Sequence, residues 1–388
     1  MRRMLPVFLV LGLIVLTMGL LVYGGQNSKK EKNSNLAEVK AVVLEVDDSE
    51  VIKAGISQIG FQQLTIKIDS GPYQGQQIPA VNQLVGKMEL DDYYNPGDKI
   101  VAAIATEGGK IQHAKALSLY RQDWQLAMFG LFVVCLLLFA RFVGLKALFS
   151  FIASLYITWN FLIPGLLEGK NPLLWTALFL VLIIGIIIFA VAGFTKKGLA
   201  AFIGTLGGLL LTIGITLFFG EKMVMDGMNA PFAETLLFSG HFNLNMLHIF
   251  YAAIVIGASG AAMDVAIDVA ASMEEIKLKK PEISMQELVQ SGFNVGRAVI
   301  GTMTTTLLLA YSGGYLTLLM LFMSKDSSFV RILNLKMVAA EIMRTVVGST
   351  GLVLVAPLTA IVAGWIYCTD FKILKHNTWR FFILITKR

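Results

Sequence analysis

Charge is what this chain has least of. Asp, Glu, Lys and Arg make up 15% of its 388 residues, against about 25% in an ordinary soluble domain. Hydrophobic residues reach 56% and the mean hydropathy is +0.70. That balance excludes a typical soluble enzyme and points to a polytopic membrane protein. Cysteine is scarce too: Cys135 and Cys368 lie far apart, within or just beyond apolar runs, so no disulfide framework is expected. The four histidines form no ligand-spaced cluster, so neither a zinc site nor any other cofactor is expected. No G-x-x-x-x-G-K-[ST] run is present, which argues against intrinsic nucleotide-driven pumping. No H-E-x-x-H or G-x-S-x-G pattern supplies a nucleophile or metal base, so the chain is not read as an enzyme. The net charge of +6 falls largely on the flanks of apolar runs. A positive-inside bias explains it, with the lipid bilayer and not nucleic acid as the partner.

What is present divides the chain into four parts. Arg2 and Arg3 precede an apolar run, Leu5 to Tyr23. It is long for a signal peptide and no A-x-A site follows, so residues 1–23 read as an uncleaved anchor. Residues 24–122 are polar and turn-rich. Alternation in Leu64–Ile68, β-formers in Val39–Val46 and Ile100–Ile104, and turn chemistry at Ser70–Tyr73 and Asn95–Asp98 predict a β-rich extracytoplasmic domain. It is a small sheet or barrel that either recognises a partner or caps the membrane part. Residues 123–368 are a multi-helix membrane domain. Spanning runs are Gln125–Ala140, Ala147–Leu166, Leu173–Phe194, Gly198–Phe219, Met246–Ser272, Arg297–Met323 and Val346–Tyr367. With the anchor this gives about eight α-helical spans. Between them, Ser284–Val295 reads as an interfacial helix, and Phe329–Arg344 is either interfacial or dips into the bilayer. Residues 369–388 form a basic tail. The alternation of Lys and Arg places both termini in the cytoplasm of a bacterial cell membrane, with the loop Glu221–Asn245 outside.

The chemistry concentrates between Gly257 and Gly314. Gly257, Ala261, Asp264, Asp268, Ser272 and Glu275 recur every three or four residues, one stripe of a helix. Carboxylates one turn apart in low dielectric favour sharing a proton, which makes Asp264 and Asp268 a candidate proton or cation site. The plainer reading sets them near the cytoplasmic interface. The next apolar run carries Arg297, Gly301, Thr305 and Ser312 on one stripe, with Thr302 beside it. Arg297 is expected to pair with the carboxylates. Thr302 and Thr305 either relay protons or an ion, or bond back to their own helix. Gly313 and Gly314 mark a hinge or a helix end. Arg297-Ala-Val-Ile-Gly301-Thr302 has an echo in Arg344-Thr-Val-Val-Gly348-Ser349, as an internal repeat would give. Glu341 and Arg344, three apart, are secondary candidates that also suit simple pairing with each other.

GASGAAMDVAIDVAASMEEI (Gly257–Ile276), GRAVIGTMTTTLLLAYSGG (Gly296–Gly314) and EIMRTVVGSTGLVLVAPLTA (Glu341–Ala360) resemble the YibE/F-like family of multi-pass bacterial membrane proteins over roughly residues 125–367. The resemblance implies an integral membrane protein described as a transporter by expectation only, with a paralogous membrane protein of the same family as a partner. A fainter likeness to SecF and the proton-driven export superfamily lies in the order from Met263-Asp264 to Gly314. It departs in having Ala298 after the arginine. Two functions follow. One is a secondary transporter or export permease, coupled to protons or cations, of unspecified substrate. The other is a non-transporting assembly or interaction protein working with a paralogous partner.

Overall fold

The computed structural model describes residues 36–107, 110–324 and 328–369. The expected anchor, and the expected tail beyond Thr369, lie outside the described residues. Two compact units meet in sequence at Arg141.

The first holds five strands, β1 (Leu36–Ala54), β2 (Ser57–Ile68), β3 (Gln77–Val85), β4 (Lys99–Glu107) and β5 (Lys110–Leu119). They close into a barrel in the order β1-β2-β3-β5-β4, the strand order of an OB-type Greek key. All pairings are antiparallel except β3–β5, which meet in parallel at Val81 and Lys115. Alternate residues fill the interior: Val39, Ala41 and Val43; Leu64, Ile66 and Ile68; Ile100, Ala102 and Ile104. One polar group is built into this core. Buried Gln62 accepts the Tyr94 N–H at 3.0 Å and the Asn82 amide at 2.8 Å, fixing the β3–β4 loop to the barrel wall. Asp92 holds the barrel's exit. Burial alone would raise its carboxyl, but Arg121 at 2.8 Å and the Leu119 N–H at 3.0 Å keep it below the usual range.

The helices follow: α1 (Gln122–Ile157), a π-turn (Thr158–Leu162), α2 (Ile163–Leu167), α3 (Pro172–Ala192), α4 (Lys196–Lys222), α5 (Ala233–Phe238), α6 (Met246–Lys279), α7 (Met285–Gly314), α8 (Leu316–Ser324), α9 (Phe329–Leu333) and α10 (Lys336–Cys368). Five helical stretches are long and apolar enough to cross a membrane, or six if α7 and α8, bent by 67°, count as one. The molecule is thus mostly helical, with a small N-terminal β unit.

In the helical unit α4, α6 and α10 pack against one another, α3 lies beside α6, and α7 rests on α6 and α10. Small residues set the spacing. A methyl group on Gly208 would collide with Val355, one on Gly204 with Thr359, and one on Gly351 with Thr212. On the other side of α10, Gly292 of α7 sits against Met273 and Ala360, and Gly296 against Ala356 and Val269. One seam of α7 therefore lies in the groove between α6 and α10.

Three expected boundaries are corrected. Ser284–Val295 is no separate interfacial helix, because α7 starts at a capping box of Ser284 and Glu287 and runs unbroken to Gly314. Its first turns bury Leu288 and Gly292 in the bundle, which holds the segment upright. Likewise, 329–344 is divided: α9 is a five-residue helix, and Glu341 and Arg344 belong to α10. The expected separate runs Gln125–Ala140 and Ala147–Leu166 form one helical stretch, broken at Arg141 (φ 47°, ψ −121°).

Close approach of α4 to α10 yields a direct test. Gly208→Leu should sharply reduce monodisperse protein after detergent extraction, whereas Gly214→Leu, with open space around its α-carbon, should not. Equal yields on size-exclusion chromatography would refute the seam.

Candidate functional site

Ion pairs and caps locate depth along the bundle. Lys197 Nζ lies 3.4 Å from Glu274 Oε2, and Lys196 Nζ donates to the Thr369 carbonyl at 3.3 Å, so these groups share one end. Toward the other end Gly220 leaves room for the Tyr251 hydroxyl, and the Arg344 guanidinium stands 5.7 Å from the Phe250 ring centroid. Asp264 lies near the middle of α6 between Tyr251 and Glu274, and Asp268 one turn closer to Glu274. Both carboxylates are exposed at the protein surface, and neither has an ion pair among the described residues.

Arg297 does not reach them. It donates from Nη1 to Asn294 Oδ1 of its own helix at 3.2 Å and forms no ion pair among the described residues. The physical reason is rotation. Gly292 and Gly296 turn one seam of α7 into the α6–α10 groove, and Arg297 falls on the α10 side, beside Val353, Ala356 and Pro357. Its level nevertheless matches. The antiparallel contacts Met273–Gly292 and Val269–Gly296 set a register in which Asp268 is level with Arg297, and Asp264 with Gly301.

The threonines also face α10. A hollow of about 260 Å³ around Arg297 shares Val353 with one of about 380 Å³ lined by Thr304, Thr305, Thr345, Ser349 and Thr350. The latter shares Leu308, Thr345 and Val346 with a third, of about 330 Å³, around Tyr311, Tyr315 and Glu341. Shared walls make these one furrow along the α7–α10 seam. Thr302 lies off it and bonds back to the Val299 carbonyl at 3.0 Å; Thr304 and Thr350 bond back likewise. Thr305 opens on the furrow itself. Both halves of the sequence echo thus line it at successive levels, Arg297 and Ile300 opposite Val353 and Ala356, and Thr345 and Ser349 opposite Thr304 and Thr305.

At the far end, Arg344 Nη2 and Glu341 Oε1 are 3.6 Å apart, with only 23% and 15% of their side chains exposed. Glu341 Oε2 and Arg344 Nε are buried with no hydrogen-bond partner among the described residues. A loosely matched ion pair in low dielectric is held together because separating it strands two charges. Gly313 and Gly314 end α7 immediately above, and the 67° bend to α8 falls at Tyr315. Tyr311 and Tyr315 were not legible as site residues. The one available signal was their spacing of four, which puts both on the face of Ser312 and Leu308. The Tyr311 hydroxyl lies close against Gly257, where a side chain would crowd it, and beside Gly348.

Breaking this pair should be costly. Glu341→Leu is expected to lower stability by about 3 kcal/mol through an unpaired buried guanidinium. Adding Arg344→Leu should recover most of the loss. Thermal melts followed by fluorescence-detected chromatography would measure both, and a single variant melting like the wild type would show that the pair carries no stability.

Residues 128–369 match the YibE/F-like protein family and residues 32–118 match the YibE/F family N-terminal domain. No curated protein and no solved structure matches the chain. The first match alone covers well over half of the 388 residues, and with the apolar helices above it fits a membrane protein. The chain belongs to the YibE/F-like family.

Proposed function

We propose that this protein is a secondary transporter or export permease, driven by a proton or cation that binds at Asp264 and Asp268. The observation that carries this reading is Asp264 itself, a carboxylate near the middle of an apolar spanning helix with no ion pair among the described residues. A carboxylate at that depth is expensive unless it has a function or a partner. The hydroxyl-lined furrow supports the same reading, because Thr305, Thr345 and Ser349 offer an ion or polar solute successive oxygen ligands beside otherwise apolar walls. The order of motifs shared with SecF and the proton-driven export proteins points the same way, as analogy only. The Glu341–Arg344 pair of α10 closes the furrow's end beside Tyr311 and Tyr315, and Gly313 and Gly314 act as the hinge above it.

The orientation belongs to the same proposal. Lys196, Lys197, Lys277 and Lys279 gather at one end of α4 and α6, which suits a cytoplasmic face and leaves the barrel and the α4–α6 loop outside. The stretch Gln122–Leu167 has 46 residues, roughly 69 Å of helix, over twice a bilayer core of about 30 Å. Read as two spans divided at Arg141, and counted with the anchor, it restores a total of about eight. Membrane-impermeant thiol labelling should therefore modify cysteines placed at Glu50 or Ala230 in intact cells and spare one at Lys279; the reverse pattern would overturn the orientation.

For the mechanism, the decisive variant is Asp264→Asn, which keeps shape and hydrogen bonding and removes the charge. In proteoliposomes bearing a pH gradient, tested with a panel of solutes, wild-type flux should fall to background in Asp264→Asn at unchanged protein abundance. Asp268→Asn should retain part of it, since that group lies a turn nearer the cytoplasmic water. Full gradient-driven flux through well-folded Asp264→Asn would exclude carboxylate coupling. Loss of flux that merely tracks loss of protein would favour an assembly role, in which the charges only fix helix pairing.

A further inference from the structure

The bundle leaves opposite charges unsatisfied at one level. Asp264 and Asp268 lie exposed on α6 to one side of α7, and Arg297 lies exposed on the α10 side of α7. None has an ion pair among the described residues. All three sit well inside the stretch bounded by the Lys197–Glu274 pair at one end and the Tyr251–Gly220 contact at the other. Uncovered charge inside a spanning helix is costly, and a partner bearing the matching charges would remove that cost. That partner needs a positive group opposite the α6 acids and a negative group opposite Arg297, each at the same level.

We propose that the partner is a second copy of this chain, docked across α7 about a two-fold axis parallel to the helices. Such an axis preserves depth and brings the α6 flank of one copy against the α10 flank of the other. In the register fixed by Val269–Gly296 and Met273–Gly292, Asp268 then meets the partner copy's Arg297, and Asp264 meets its Gly301. The contact occurs twice, once on each side of the axis. The surfaces leave room for close approach: around Gly260 on α6 and Gly301 on α7 nothing lies within 4 Å of an added methyl, so a helix of the second copy can pack beside each. The docking also completes the site. Among the described residues, the furrow that runs from Arg297 past Thr305 to Glu341 is lined by no acid at mid-depth. The second copy's carboxylates close over it there, so the hydroxyl ladder of one chain and the acids of the other form a single polar track. This deepens the transport reading by naming what faces Asp264 and Asp268, but the charge placement that supports it holds whether or not anything is transported.

The test reads association and not flux. In a Cys135→Ser, Cys368→Ser background, two differently tagged full-length chains are co-expressed, one with Ile267→Cys and the other with Ala298→Cys. These positions flank the charges and share their register, and leave the charges intact. Oxidation should cross-link the two tags in native membranes, and neither cysteine should do so when carried by both chains. In detergent, single-particle mass measurement should find two copies per particle. Arg297→Asp should weaken that association about tenfold or more, as like charges face each other. The swap of Asp268→Arg with Arg297→Asp should restore it. A wild-type chain that stays single in membrane and detergent would overturn the proposal, including the case in which a related but different chain is the true partner. Cross-linking of 267 to 267 in place of 267 to 298 would overturn the two-fold geometry. A dimer with the expected cross-link but no gradient-driven flux would refute the transport reading and uphold this one.

Discussion

Everything in the helical unit depends on how closely α4 and α10 approach. Between helices in lipid there is no hydrophobic driving force, because the tails are as apolar as leucine, so association rests on packing and hydrogen bonding. Here the packing is reciprocal. Gly204 and Gly208 of α4 receive Thr359 and Val355 of α10, and Gly351 of α10 receives Thr212 of α4. The hydroxyls of Thr205, Thr212 and Thr216 bond back to carbonyls four residues earlier, which lets polar atoms sit fully buried at this seam. With α4 and α10 locked, α6 and α7 are placed against α10 by Met273, Ala356 and Ala360, and the levels of all the charged groups follow.

That dependence explains which features were legible in the sequence. Alternation in β1, β2 and β4 specifies which residues enter the barrel, since a period of two admits one inward face. Apolar length specifies the spans, and turn residues at Asn95–Asp98 specify a loop that closes with the Asn95 N–H on Asp98 at 2.7 Å. What failed was local reading of a tertiary fact. The interfacial reading of 284–295 rests on Met285, Leu288, Val289 and Phe293 as an apolar face beside polar neighbours, yet Leu288, Gly292 and Gly296 form a seam seated in the α6–α10 groove. Hydropathy averages those two faces and cannot see that one is covered.

Arg297 illustrates the same limit at the site. Spacing put it on a stripe with Gly301 and Thr305, and the furrow keeps Arg297 and Thr305 on the α10 side. Spacing says nothing about which neighbour a stripe will face, so the carboxylates of α6 looked like its natural partners. The helix rotation set by two glycines sends it to α10 instead. Conversely, the echo between 297–302 and 344–349 was visible as six residues, and its meaning became physical only when both halves proved to line one furrow. The pairing of Glu341 with Arg344, by contrast, needed only a spacing of three on a helix, and it is there at 3.6 Å.

The furrow's two walls also share a mechanical property. Pro357 lies inside α10 and has no N–H, so the Val353 carbonyl loses its intrahelical donor. Val353 lines both the Arg297 hollow and the hydroxyl-lined hollow, so the break in the α10 ladder falls where the two meet. Opposite, α7 stops at Gly313 and Gly314 and the chain turns by 67°. Each wall therefore has one interruption in its hydrogen-bond ladder, near the middle on α10 and at the outer end on α7. Between these points the walls meet through side chains alone: the threonine faces, and Tyr311 and Tyr315 of α7 against the α10 face that carries Glu341. Movement that separates the outer half of α7 from α10 needs no helix to unfold, because the bonds it breaks are those between side chains and the ladder gaps already exist. A seam built this way packs most closely where α4, α6 and α10 interlock and least along the furrow, the division of labour that the transport proposed above would use.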